Sequence, residues 1–241
     1  MDVLFDGFRK LARQNDEIGC LKYIDKHDNF RNIIYDDTSI LQYACDWRLK
    51  QVAFGLINRN CDLVFQDKRI HMTAMCHASN SGLISVVAYI IDKLPDTKTR
   101  YLFSGTSEMM YLCNNNRNVN NILKMIKLGY DIYYKLDRHI YNTRTDKSLL
   151  TAAIDAKLEP IVKKLLDINN NFIAEFNAYY DVRSLKKDEF HDNIVNYYTK
   201  ILYRQAIITE MNDVSATNML YQSFRKIYAV DLVNIICDFI I

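Results

Sequence analysis

Apolar residues recur along the chain in blocks of helical spacing, separated by short polar turns. The clearest block runs Ser39-Ile40-Leu41-Gln42-Tyr43-Ala44-Cys45, then Val52, Leu56 and Ile57, then Asn60-Cys61-Asp62-Leu63. This spacing predicts two short antiparallel helices closed by a turn. The block returns as Thr73-Ala74-Met75-Cys76-His77-Ala78-Ser79, with Val86-Val87 and Ile90-Ile91. Ala44 to Ala78 is a step of 34, and so is Ile57 to Ile91. A fixed period of that size predicts stacked repeats. Each helix pair has an apolar face that it cannot bury alone, and its neighbours complete the core.

The end of each second helix serves as a ruler: Ile24, Ile57, Ile91, Ile126 and Leu166, at steps of 33, 34, 35 and 40. Three residues on, Asn60, Gly129 and Asn169 stand where the chain must turn through a left-handed conformation, which Gly and Asn tolerate. Leu94-Pro95 ends the third unit differently, because proline disfavours helix for the residue before it. The expected repeats are about 2–37, 38–70, 71–102, 103–137 and 146–172. Asn114 to Asn118 reads as a stretched inter-helix loop, Asp137 to Asp146 as a protruding loop, and Pro160 as a helix start. The fold class expected is all-α: a solenoid of about five helix pairs over 1–172, then C-terminal helices over 173–241.

With these residues in register, the chain resembles the ankyrin-repeat family. The resemblance rests on starts of the Thr-x-Leu-x-x-Ala type, the Val-Val/Leu-Ile pair, and the Gly129-Tyr130-Asp131-Ile132 ending. It covers roughly Asp2 to Phe172. Tetratricopeptide repeats share the period, but their Trp/Gly/Tyr and late-Pro pattern is absent. The resemblance implies a non-enzymatic protein–protein interaction module.

Beyond Phe172 the period breaks. Asp181 to Glu189 is charged and reads as a linker. Phe190, Ile194, Tyr197-Tyr198, Ile201-Leu202 and Ile208 have helical spacing, with Asn212-Asp213 ending that helix and Ser215 as N-cap of another. One expectation for this tail is a cap over the open end of the stack. The other comes from Tyr228-Ala229-Val230-Asp231-Leu232-Val233-Asn234-Ile235-Ile236-Cys237-Asp238-Phe239-Ile240. It resembles the first helix of an F-box, with Asp231 at the acidic position and Leu232, Val233, Ile236, Phe239 and Ile240 at apolar ones. Ala229 replaces the usual proline and Tyr228 the leucine. A truncated F-box behind ankyrin repeats is similar to the tails of poxvirus ankyrin proteins. That resemblance implies an adaptor that recruits a Skp1-type protein of a cullin ubiquitin ligase, in viral modulation of a host.

Composition narrows the picture. Lys and Arg total 31 against 29 Asp and Glu. A nucleic-acid or membrane-surface protein would show a clearer excess of one sign. The cysteines are scattered without CxxC spacing and read as buried, reduced residues of a cytoplasmic protein, which for a viral chain means the host cytoplasm. No apolar run approaches membrane-spanning length. With only 6 Gly in the chain, no glycine-rich phosphate loop stands out. His71, Cys76 and His77 lie on a repeat start and read as structural rather than as metal ligands. Cys113 and His77 lie on equivalent helices of adjacent units, so their proximity follows from stacking, and no orienting group or oxyanion site accompanies them. Neither catalysis, a cofactor nor a small-molecule substrate is expected.

A partner is expected at the repeat tips, 35–38, 65–69, 96–100 and 133–137. Interface hot spots favour Trp, Tyr and Arg. The candidates are Trp47, with Arg48 beside it, and Phe65, Arg69, Tyr133, Tyr134 and Arg138.

Overall fold

A computed structural model describes residues 2–27, 29–136, 147–215, 217–224 and 235 of the chain. The protein is mostly helical, and its chain groups into two compact units, Met1–Ile161 and Val162–Ile241. In the first unit the helices come in pairs: α1 (Asp2–Arg13) with α2 (Glu17–Lys26), α3 (Ile40–Asp46) with α4 (Lys50–Asn58), α5 (Ala74–Asn80) with α6 (Ile84–Lys93), and α7 (Glu108–Leu112) with α8 (Val119–Lys127). α9 (Leu149–Asp155) follows, and α10 (Glu159–Ile168) begins at the unit's end. First helices pack on first helices, α3 on α5, α5 on α7 and α7 on α9. Second helices likewise pack α2 on α4, α4 on α6 and α6 on α8.

Local chemistry explains why these helices start where they do. Ser39 caps α3 in a reciprocal capping box: its hydroxyl accepts from Gln42 N, and Gln42 Oε1 accepts from Ser39 N. Ser148 and Thr151 repeat the arrangement at α9, and Ser107 caps α7. Each such cap is worth about 1 kcal/mol. Between the helices of a pair the chain turns through a left-handed residue, Asn15, Arg48, Gly82 or Lys157. In the fourth pair a 3₁₀ turn, Asn116–Asn118, lies in the expected asparagine-rich loop. After the second helix Asn60 and Gly129 are left-handed, as expected, whereas Asn169 is not, and His27 is extended.

The core consists of the apolar residues of both helix rows. Phe8, Leu41, Leu56, Met75, Ile90, Leu112 and Ile122 are fully buried. Burying one such side chain stabilises by about 2 kcal/mol. Gly55 sets how closely α4 approaches α2: a Cβ there would lie 2.3 Å from Leu21 Cδ2.

Polar bonds at similar spacing hold adjacent pairs in register. On the first-helix row His77 Nδ1 donates to Asp46 (2.7 Å) and the Tyr111 hydroxyl to Asn80 (2.8 Å). On the second-helix row Arg59 grips Asp25 (2.7 Å), Tyr89 donates to Asn58, and Lys124 pairs with Asp92. Exposed pairs of this kind are weak singly. The buried ones matter more: Gln42 Nε2 donates to Met72 O (2.7 Å), and Asn118 Nδ2 donates to Ser79 Oγ (2.7 Å).

The second unit contains α11 (Phe172–Arg183), α12 (Glu189–Asn212) and α13 (Met219–Phe224). Phe176, Tyr180 and His191 form its aromatic centre, with ring centroids 4.8 to 5.6 Å apart. The Tyr197 hydroxyl donates to Asp167 (2.6 Å), and the Lys163 ammonium lies over the Tyr197 ring. Burial, reinforced by Asp167, pushes Tyr197 up to about 12. α12 ends at Asn212, as the sequence implies. The cap of α13 is Asn218, whose Oδ1 accepts from Tyr221 N, and not Ser215, whose hydroxyl donates to Asp213. Among the described residues no helix is long and apolar enough to cross a membrane.

Candidate interaction surface

The tips between pairs are built from tight polar turns. In the first, Ile34–Tyr35 pairs antiparallel with Thr38–Ser39 across Asp36 and Asp37, both left-handed. Asp tolerates that conformation, and two such residues in succession match the twist of a two-residue hairpin. The second tip is organised by Asp67, which is 5% exposed. Its Oδ1 accepts from Arg69 N (3.0 Å) and Ile70 N (2.8 Å), and its Oδ2 from Met72 N (2.8 Å). In the third, Asp96 accepts from Lys98 N and Arg100 Nη2, and Tyr101 bridges Ser107. The fourth closes with Lys135–Leu136 against Lys147–Ser148.

Neighbouring tips are sewn together. Phe103 N donates to Ile70 O (2.9 Å), and Gln66 Nε2 donates to both His71 O (2.7 Å) and Tyr101 O (2.9 Å). The Tyr134 hydroxyl donates to Gly105 O (2.9 Å), and its ring lies 4.6 Å from that of Tyr101. The second, third and fourth tips thus form a continuous ledge whose backbone is fixed in advance of any ligand.

The residues singled out from the sequence fall in different settings. Trp47 is half-buried after α3, with its ring 5.3 Å from Tyr43 and 6.3 Å from both Phe5 and Phe8. Arg48 is exposed and left-handed (φ 59°), so its backbone makes the inter-helix turn. Phe65 is half-buried on the second tip, beside Ile34 and Leu41 in a shallow depression. The Arg69 side chain is exposed on the same tip. Tyr133 is exposed, with its N–H on Asp131 Oδ1 (2.8 Å), while Tyr134 is partly buried in the ledge. Arg138 lies outside the described residues. So do Asp231, Leu232, Val233, Ile236, Phe239 and Ile240, and the loop from Asp137 to Asp146.

Sequence reasoning missed a buried ionic cluster between the third and fourth pairs. Glu108, 2% exposed, accepts from the Thr73 hydroxyl through Oε1. Its Oε2 makes no hydrogen bond and stands 3.8 Å from Arg100 Nη1. Arg100 is committed to Asp96 at 2.9 Å. Burial therefore outweighs the cation and pushes Glu108 up to about 7. The only signal in the sequence was an acidic residue in the first turn of a helix.

Among the described residues the cysteines do not have the character of nucleophiles. Burial pushes Cys20 up to about 11 and Cys76 and Cys113 up to about 12. A reactive thiol needs the opposite shift. Cys113 donates to Met109 O, and His77 Nδ1 is held by Asp46. Among the described residues no group of three or more His, Cys, Asp or Glu is placed to hold a metal ion. Comparison of the chain with protein-family models and with curated proteins gives no match.

Proposed function

We propose that the protein is a non-enzymatic interaction module of ankyrin type, whose repeat tips hold a target protein and whose C-terminal segment docks on a Skp1-type adaptor of a cullin ubiquitin ligase. The observation that supports the first half is the stacking order: first helices on first helices and second on second, with tips sewn into one ledge. A rigid, extended surface of this kind suits protein recognition, because ordering costs are met before binding. The second half rests on the F-box resemblance of residues 228–240. Of these residues the structure describes Ile235 alone, which is helical and 52% exposed.

The test is co-purification of Skp1 with the full chain and with a chain ending at Asp231. Loss of Skp1 from the shortened protein is expected. Retention would remove the adaptor-docking half. The rival reading, C-terminal helices that only cap the stack, predicts that a chain ending at Asn171 aggregates.

A further inference from the structure

We propose that the cleft between the tips of the second and third helix pairs docks an acidic segment of a partner protein that carries one aliphatic or aromatic anchor; this rests on, and narrows, the interaction-module reading. The cleft has a volume of about 660 Å³ and is lined by Val64, Gln66, His71, Lys98, Tyr101 and Phe103, among others. A space of that size accepts one large side chain with its flanking backbone.

Three independent features support this occupant. The first is apolar exposure: Val64 is 38% exposed, Tyr101 39% and Phe103 71% around the cleft, with Ile70 at 49% beside it. Exposed apolar side chains grouped in this way mark interaction sites, whereas single ones do not. The second is rigidity. The Asp67 carboxylate clamps the turn amides of Arg69, Ile70 and Met72, Phe103 N is bonded to Ile70 O, and Gln66 spans both tips, so little ordering cost remains for binding.

The third is charge. The acidic groups of these tips are already engaged: Asp67 by backbone amides, and Asp96 by Lys98 N and the Arg100 guanidinium, which hold it below the usual carboxylate range. Arg69 and Lys98 are exposed cations, and among the described residues neither makes an ion pair. The lining carries Lys98, Arg100 and the half-exposed Asp96, whose charge Arg100 offsets, so a partner meets apolar walls with a net positive rim. Such a surface attracts acidic segments and repels basic ones. The anchor fits between Val64 and Tyr101, and its acidic neighbours reach Lys98 in the lining, with Arg69 exposed on the same tip as Val64.

A phage-displayed library of random dodecapeptides, panned on the full chain at low ionic strength, tests this. Enriched peptides are then measured by fluorescence polarisation against wild type, Ile70→Asp and Lys98→Glu. The expected peptides are acidic with one aliphatic or aromatic residue. Each substitution should weaken them by about tenfold, and added salt should weaken them further. Lys98→Glu changes an exposed side chain, so it remains informative if Ile70→Asp folds poorly, and circular dichroism checks both. Neutral or basic peptides, or acidic ones that bind both variants as tightly as wild type, overturn the cleft assignment while leaving the broader interaction reading intact. No enrichment at all also overturns the cleft, and the adaptor-docking half of that broader reading is judged separately by the Skp1 experiment.

Discussion

Replacing Glu108 by Gln should remove a specific component of the protein's pH dependence. The carboxyl is buried at the joint of the third and fourth pairs, faced by Thr73, Arg100, Cys76 and Tyr130, with Asp96 behind Arg100. Burial raises it from its ordinary 4.5 to about 7 in the folded protein. Between those two values the unfolded chain has released the proton and the folded chain keeps it. Stability therefore falls as pH rises through this window and is flat on either side. A tenfold change in proton affinity is worth about 1.4 kcal/mol, so the loss from about pH 4.5 to 8 is on the order of 3 kcal/mol. Gln keeps an oxygen for the Thr73 hydroxyl and carries no titratable proton. Urea unfolding of both proteins across that range is the assay, and subtracting one curve from the other cancels contributions from other groups. Wild type should lose about 3 kcal/mol more than Glu108→Gln. Parallel curves, or a wild type that gains stability with rising pH, would show that Arg100 compensates the buried charge and would refute the reasoning.

Substitutions at three further positions probe the stacking. Leu56→Ala opens a cavity in a fully buried site and should cost about 3 kcal/mol in urea unfolding. Glu17 belongs to the first pair, yet its Oε2 accepts from Gln51 N (2.5 Å) and Val52 N (3.0 Å) at the start of α4. Glu17→Ala should therefore cost about 1 kcal/mol, and Glu17→Gln less, in thermal melts. Gly82 turns at φ 74° with open space where a Cβ would stand. Gly82→Ala should accordingly cost about 1 kcal/mol from backbone strain alone, and an unchanged melting temperature would contradict that.

The helix pairs were legible in the sequence because the spacing of Ala44, Ile57, Ala78 and Ile91 is a local property of a helix that must bury one face. The caps were less legible: Ser39 and Gln42 stand three residues apart without having been singled out, and Asn218 takes the place expected for Ser215. What the sequence did not show depends on partners a full repeat away. Glu108 meets Thr73 at a separation of 35 residues, and Gln66 meets Tyr101 at the same separation. No local pattern announces such a meeting. The turns misled for a different reason. Arg48 and Lys157 adopt a left-handed conformation that their residue types do not advertise, because the pairing of the helices around them requires it. Arg48 thus attracted notice as a hot-spot candidate for its guanidinium, while its backbone has a structural role of its own.

Trp47 is the only tryptophan in the chain, and its ring sits against Phe5, Phe8 and Tyr43, where the first pair meets the second. Intrinsic fluorescence consequently reports on one joint, while far-ultraviolet circular dichroism averages over every helix. In a row of units bound mainly to their neighbours, the two signals need not melt together. A red shift of the indole emission ahead of the loss of helix would mean that the stack frays from its first pair. A shift that lags would place the first breakage further along the chain.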